Sequence, residues 1–337
     1  MIIKSKNFLL KLEEILKDDL SKERYNKTEK LVLEIIKSWY SDKKDFFHQT
    51  SGSTGKPKLI KISRNSIQLS AQATMSYLDP NELVKESLLC IDPVHIGGAM
   101  VIYRGLIYNH NITIVEPNSY PFKDLESDEF DIASMVPMQF EKLKEKQINR
   151  CGIILIGGAP MPIDVKSYSA KVYSTYGMTE TVSHIALRKI DMEEFHTTGD
   201  TIVAVDNSNS LKIKGSITAN KWLKTTDLAT VTSEKTFRWL GRKDFVINSG
   251  GIKINPEFIE EKLSDQFEND FMISSLPDKT LGSKVVLISS GSKQVIDFDI
   301  LDKYHRPKES FFDCNIFKTT SGKIDRAKTQ AELKKSI

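Results

Sequence analysis

The sequence predicts an α/β protein: a large N-terminal domain with a parallel sheet flanked by helices and a small β subdomain, then a small α+β C-terminal domain. Three observations carry this. Between residues 87 and 174, short apolar runs of strand length alternate with amphipathic helical segments, the pattern of βαβ units. From Ser183 to Leu240 the runs shorten, and polar turns such as Asp206-Asn207-Ser208-Asn209 separate them, which reads as an antiparallel subdomain. From Asp244 onward a helix at 256–266 and strands at 271–275 and 284–288 read as a compact α+β unit. A chain of 337 residues accommodates two such domains, and the expected division is 1–242 and 243–337.

Taken in order, residues 1–20 alternate apolar and charged positions and include Glu13, Glu14, Asp18 and Asp19. They read as an amphipathic helix, not a signal peptide. Helix is expected over 7–40, where Leu31, Val32, Ile35, Ile36 and Trp39 recur at helical spacing. Ser63 and Asn65 are candidate caps for a helix reaching Tyr77. Strands are expected at 87–91, 112–115, 132–136, 152–156 and 171–174, with helices at 97–108 and 138–146. Ligands of parallel sheets bind at the carboxyl ends of strands, which singles out the loops at 92–98, 157–160 and 175–180.

Composition narrows the functional classes. Apolar residues make up 39% and charged residues 28% of the chain, and the net charge is only +3. That balance fits a globular protein and argues against nucleic acid or a membrane surface as partner. No apolar run approaches the ~18 residues of a membrane span. Cys90, Cys151 and Cys314 are far apart and odd in number. They form no metal-ligand spacing and imply no disulfide framework, so a reducing, cytoplasmic setting is expected.

The motif with the most chemistry is His48-Gln49-Thr50-Ser51-Gly52-Ser53-Thr54-Gly55-Lys56-Pro57-Lys58. Small residues let backbone N–H groups approach an anion, hydroxyls add donors, and lysines add charge. Thr50, Ser51, Gly52, Ser53, Thr54, Gly55 and Lys58 are therefore candidate triphosphate ligands. The spacing is not that of the P-loop, because only Ser53 and Thr54 separate the two glycines.

Further segments follow. Ile153-Ile154-Leu155-Ile156-Gly157-Gly158-Ala159-Pro160 is a buried strand opening into glycines; it is either a tight strand-to-helix turn or a surface for a flat ring. Tyr176-Gly177-Met178-Thr179-Glu180 offers a carboxylate for Mg²⁺ (Glu180), a phosphate donor (Thr179) and a ring for stacking (Tyr176); a capped helix start is the other reading. Asp227 can accept both hydroxyls of a ribose and Arg242 can brace the same sugar. Leu240-Gly241-Arg242-Lys243-Asp244-Phe245-Val246-Ile247-Asn248-Ser249-Gly250-Gly251 suits a hinge, or equally a hairpin with a glycine turn. Near the end, Lys323 in Ser321-Gly322-Lys323 is either a charge delivered into a cleft or part of a solvated tail. His95 is a lone histidine just after an expected strand.

The content and order of these motifs resemble the adenylate-forming family of acyl-CoA synthetases, peptide-synthetase adenylation domains and luciferases. The resemblance covers about residues 46 to 330. It implies that Gly157, Gly158 and Ala159 line the adenine pocket and its acyl-side wall, and that Tyr176, Gly177, Thr179 and Glu180 bind Mg·ATP. It assigns Asp227 and Arg242 to the ribose, Asp244 to the pivot of a mobile C-terminal lid, Lys323 to catalysis, and His95 to the acyl pocket where the carboxylate enters. The family pattern at the ribose site is Thr-Gly-Asp, whereas this chain has Thr225-Thr226-Asp227. A Thr-Gly-Asp at Thr198-Gly199-Asp200 is set aside because it lies too far before Arg242. The implied reaction joins a small-molecule carboxylate to ATP, with Mg²⁺, to give an acyl-adenylate and pyrophosphate; coenzyme A then displaces AMP. Only 49 residues precede Thr50, fewer than most family members carry. That is similar to compact 2-succinylbenzoate–CoA ligases of menaquinone biosynthesis. Ligases for other aryl or acyl acids, and adenylation domains that charge a carrier protein, share the same motifs. Arg104 is a candidate for meeting a second carboxylate, or a surface helix residue.

Overall fold

The computed structural model describes residues 1–20, 24–49, 59–125, 128–161, 163–164, 166–319 and 323–336. It contains two compact units: Met1–Ile202 with Lys214–Trp222, and Val203–Ile213 with Leu223–Ile337.

The first unit begins with strands β1 (Ile2–Lys4) and β2 (Leu9–Lys11), then helices α1 (Leu12–Lys17) and α2 (Lys27–Trp39). The hairpin β3 (Asp45–Gln49) and β4 (Leu59–Ser63) leads to α3 (Arg64–Leu78), β5 (Glu86–Leu89), α4 (Ile96–Tyr108) and β6 (Asn111–Ile114). There follow β7 (Phe130–Met135), two short helices α5 (Pro137–Glu141) and α6 (Glu145–Ile148), β8 (Cys151–Ile156), β9 (Lys171–Gly177), β10 (His184–Lys189) and β11 (Phe195–Thr197). In space the strands run β2-β1-β6-β5-β7-β8-β9-β10-β11. Pairing is parallel from β1 through β9 and antiparallel at both flanks.

Period-2 alternation divides the central strands between two cores. Ile154 and Ile156 of β8 join Phe130, Ala133 and Met135 of β7 on one side. Ile153 and Leu155 pack with Met75 and Leu78 of α3 on the other. Asn26 caps α2 by accepting from the Glu29 N–H while Glu29 accepts from the Asn26 N–H, a reciprocal capping box. The Ser63 hydroxyl accepts from the Ser66 N–H at the start of α3. Among the described residues no helix is long and apolar enough to cross a membrane.

Four expectations are corrected. The first twenty residues are not one helix: fully buried Ile3 adds β1 to the sheet edge beside β6, with the Ile2 N–H bonded to Asn111 Oδ1 at 2.8 Å. Pairing with a preformed edge outweighs local periodicity there. The helix expected at 138–146 is two short helices broken at Leu143. Strand β9 runs on through Gly177, so Thr175 and Tyr176 lie on a strand, not in a loop. Strands β10 and β11 extend the first unit's sheet and do not belong to a separate antiparallel subdomain.

The second unit holds β12 (Ile202–Val205, from Val203 on), β13 (Ser210–Lys214), an eleven-residue β14 (Leu223–Ser233) and β15 (Thr236–Arg242). β13, β14 and β15 pair antiparallel. A hairpin, β16 (Ile247–Ser249) and β17 (Ile252–Ile254), turns at Gly250 and Gly251, both with positive φ. Helix α7 (Pro256–Leu263), the sheet of β18 (Phe271–Asp278), β19 (Gly282–Ser289) and β20 (Glu309–Phe311), and helix α8 (Arg326–Ser336) complete it. Ile259 and Leu263 of α7 pack on one face of the β18–β19 ladder, and Leu333 of α8 on the other.

Candidate active site

Within the first unit, the expected ligand-binding segments that the structure describes follow β5 and β8 and overlap the end of β9. Gly157 continues β8, its N–H bonded to the Met135 carbonyl at 3.0 Å. A Cβ at Gly157 would stand 2.4 Å from Thr175 Oγ1, and Gly158 has a φ of +88°. Glycine therefore suits the backbone at 158 and the close approach of Thr175 at 157, and with half-buried Ala159 the two leave bare backbone at the strand end. Tyr176 is half-buried, its ring 5.9 Å from that of Phe195. A Cβ at Gly177 would fall 2.3 Å from the Ser183 carbonyl oxygen.

After Gly177 the chain makes one 3₁₀ turn, Thr179–Thr181. The Thr181 hydroxyl pins it, accepting from the Met178 N–H at 3.1 Å and donating to the Ser183 carbonyl at 2.8 Å. Val182 closes the turn at a φ of +66°, a strained conformation for a β-branched residue. Half-buried Thr179 and exposed Glu180 line a cavity of ≈ 300 Å³ together with Asp45, Lys61 and Ser63. Among the described residues no three His, Cys, Asp or Glu side chains converge as a metal cage. Exposed Glu180, on a cavity where Asp45 is paired with Lys61 at 2.9 Å, fits Mg²⁺, which takes one or two carboxylates plus phosphate oxygens. Thr50, Ser51, Gly52, Ser53, Thr54, Gly55 and Lys58 lie outside the described residues.

His95 is the N-cap residue of α4 and is bridged to Gln49 in the strand that leads into that run. Its Nδ1 is buried without a hydrogen-bond partner. His48, which no motif singles out, is buried with its ring edge-on to Tyr103 at 5.8 Å, and the Tyr103 ring in turn meets Trp39 and Phe46. Its Nε2 hydrogen-bonds the Tyr103 hydroxyl at 3.1 Å. Burial, against a hydrogen bond to the Val94 backbone, pulls its pKa down to about 4. A neutral His48 thus ties the end of β3 to helix α4.

Arg104 is not a surface residue. It is 4% exposed. Nη2 reaches Ser134 Oγ on β7 at 3.4 Å, and Nη1 has no partner. Burial lowers its pKa to about 10, and its charge in turn helps depress His110 and His184, after burial itself. Buried cations are ordinarily paired; Arg104 has no carboxylate partner among the described residues.

The second unit gathers another set. Asp227 on β14 stands opposite Arg242 on β15. Asp227 Oδ1 accepts from Trp239 Nε1 at 3.3 Å. Arg242 Nη2 donates to Thr226 Oγ1 at 2.8 Å and to Asp244 Oδ2 at 2.7 Å, while its Nε is buried without a partner. The departure from Thr-Gly-Asp thus supplies a hydroxyl that steadies Arg242. Half-buried Lys323 belongs to the same cluster: burial and the charge of Arg242 pull its ammonium below the usual lysine range, and Asp227 acts in the opposite direction. Gly241 has a φ of +113°, and a Cβ there would meet Asn255 and Glu257 at 2.4–2.6 Å. The set-aside Asp200 lies in the first unit, with Oδ2 accepting from Ser216 N–H at 2.9 Å and Ser216 Oγ–H at 2.5 Å.

Residues 10–214 match the family of AMP-binding enzymes. A 2-succinylbenzoate–CoA ligase of Listeria monocytogenes is 27% identical over 335 residues, spanning 88% of this chain and 71% of the relative. A Bacillus subtilis protein of the same name is 26% identical over 327 residues, 82% of this chain and 66% of the relative. Among solved structures, an acyl-CoA synthetase (AMP-forming)/AMP-acid ligase II-like protein from Dyadobacter fermentans superposes with a TM-score of 0.61 at 30% identity, covering 93% of this chain and 97% of the other. The O-succinylbenzoate coenzyme A synthetase of Bacillus subtilis, solved with ATP and magnesium, gives 0.72 at 22% identity over 84% and 69%, a likeness of fold. The chain belongs to the AMP-binding enzyme family, in the class of AMP-forming acid–CoA ligases.

Proposed function

We propose that this chain is an ATP- and Mg²⁺-dependent 2-succinylbenzoate–CoA ligase, the activity linked to menaquinone biosynthesis. Arg104 carries the choice of acid. A buried guanidinium with a free donor and no carboxylate partner among the described residues suits a substrate that keeps a second carboxylate while the first is activated. The relatives of that name support the same choice.

In the proposed reaction each unit supplies its own groups. Glu180 would hold Mg²⁺, which would offset charge on the triphosphate. Thr179 and the Thr50–Lys58 run donate to phosphate oxygens. Gly157, Gly158 and Ala159 offer bare backbone to the adenine and Tyr176 a ring face. Asp227 accepts from the ribose hydroxyls, and Arg242, steadied by Thr226 and Asp244, keeps Nε for a ligand oxygen. His95 lines the carboxylate's entry. Lys323 meets the negative charge that grows as the carboxylate attacks the α-phosphorus and pyrophosphate leaves. Residues 243–337 then turn about Asp244 as a lid, and the thiol of coenzyme A displaces AMP.

The test uses the purified protein with ATP, Mg²⁺ and coenzyme A. One arm contains 2-succinylbenzoate and the other its analogue with hydrogen in place of the ring carboxylate. Pyrophosphate release should favour the dicarboxylate by about 100-fold, and Arg104→Leu should erase the preference. Equal turnover of the two acids by the unsubstituted protein would overturn the choice of acid. Thioester formation on a carrier protein's phosphopantetheine arm, with none on free coenzyme A, would overturn the choice of thiol.

A further inference from the structure

We propose that Arg326 is a positioning residue for Lys323, an inference that rests on the role given to Lys323 above. Lys323 sits on one arm of a short antiparallel pairing. Lys318 pairs with Ile324, the Thr319 N–H donates to the Lys323 carbonyl at 2.7 Å, and the Asp325 N–H donates to the Phe317 carbonyl at 2.8 Å. This pairing is fastened to α8. The Asp325 carbonyl and Oδ1 accept from the N–H groups of Thr329 and Lys328, and Thr329 Oγ1 accepts from the Phe317 N–H. Wherever the first turn of α8 goes, Lys323 follows.

What places that first turn is Arg326. Its guanidinium pairs with Glu260 of α7, donates from Nη1 to the Ile273 carbonyl of β18 at 3.1 Å, and lies 5.0 Å from the centre of the Phe245 ring. Both members of the ion pair are largely buried, with side chains 17% and 18% exposed. The same Phe245 ring has the Arg242 guanidinium 5.7 Å from its centre. A continuous line of contacts therefore runs from Arg242, opposite Asp227, through Phe245 to Arg326, three residues beyond Lys323. A planar fork with several donors can hold three elements at once, which a lysine cannot. Further along, α8 is held independently by Gln330 Nε2 bonded to the Ser275 carbonyl and by buried Leu333. Losing Arg326 should thus displace the start of the helix without detaching it, and small displacements of a catalytic group cost about 100-fold in rate.

The experiment separates the two half-reactions: adenylate formation from acid and ATP, and thioester formation from supplied acyl-adenylate and coenzyme A. Arg326→Met should slow the first about 100-fold and change the second by less than about threefold. Arg326→Lys should recover part of the loss. In a Lys323→Ala background, Arg326→Met should cost nothing more, because the two act as one unit. If Lys323→Ala leaves adenylation intact, the role of Lys323 itself fails. If Lys323→Ala abolishes adenylation but Arg326→Met does not slow it, the positioning role alone is overturned; equal loss in both half-reactions, or additive losses, would also overturn it. Should Arg326→Met fail to fold, Phe245→Leu is measured the same way, with a loss confined to adenylation expected and equal losses refuting the proposal.

Discussion

Glu257 provides a test in which the sign and size follow from the structure. Its carboxylate lies under the β15–α7 junction, where Oε2 accepts from the Arg242 N–H. Burial raises its pKa from 4.5 to about 7; Arg326 and the Arg242 N–H pull the other way, and Glu260 and Asp227 push it further up. The folded state therefore holds this proton more tightly than the unfolded state does. Below pH 4.5 both states are protonated and the group contributes no pH dependence. Between 4.5 and 7 the unfolded chain ionises first, so stability falls as pH rises, and above 7 the full penalty stands. A shift of that size corresponds to about 3 kcal/mol, most of which develops between pH 5 and pH 8. Glu257→Gln keeps an oxygen acceptor for Arg242 and never ionises. Denaturant unfolding of the intact chain, followed by tryptophan fluorescence, should find the variant better by about 2–3 kcal/mol at pH 8 than at pH 5, each relative to the unsubstituted protein. A stability difference that is the same at both pH values, or that shrinks toward pH 8, would refute the reasoning.

Two further substitutions test the site. Gly157→Ala places a methyl group against Thr175 Oγ1; it should cost about 1–3 kcal/mol of stability and weaken ATP binding in titration calorimetry, and Thr175→Ala in the same protein should restore both. Asp244→Pro should fix the backbone at the expected pivot, slowing thioester formation from supplied acyl-adenylate more than it slows pyrophosphate release; rates equally affected in rapid-quench measurements would remove the hinge.

The sequence was legible where local chemistry and tertiary context agree. The βαβ alternation, the Ser63 cap, helix α4 and the Ser249-Gly250-Gly251 turn all read directly, because periodicity, hydroxyl capping and positive φ are local properties. Strand β1 did not, since Ile2 and Ile3 become strand only by pairing with β6, more than a hundred residues away. The continuation of β9 through Tyr176 and Gly177 depends on β10 lying alongside it. Asp227, Arg242 and Lys323 were named from motifs, but that they form one cluster is a property of the folded second unit. His48 gave no local signal, and the burial of Arg104 only a slight one. A histidine before a glycine-rich run and an arginine on an apolar helix look alike whether exposed or enclosed, and the long apolar stretch from Ile96 to Leu106 was the one hint that Arg104 has no solvent-facing side to occupy.

The most direct measurement of the central claim is the fate of carboxylate oxygen. With 2-succinylbenzoate carrying ¹⁸O in its carboxylates, plus ATP, Mg²⁺ and coenzyme A, attack on the α-phosphorus transfers one labelled oxygen to the released nucleotide. Mass spectrometry should find AMP bearing a single ¹⁸O. Unlabelled AMP, or ADP in its place, would contradict the account.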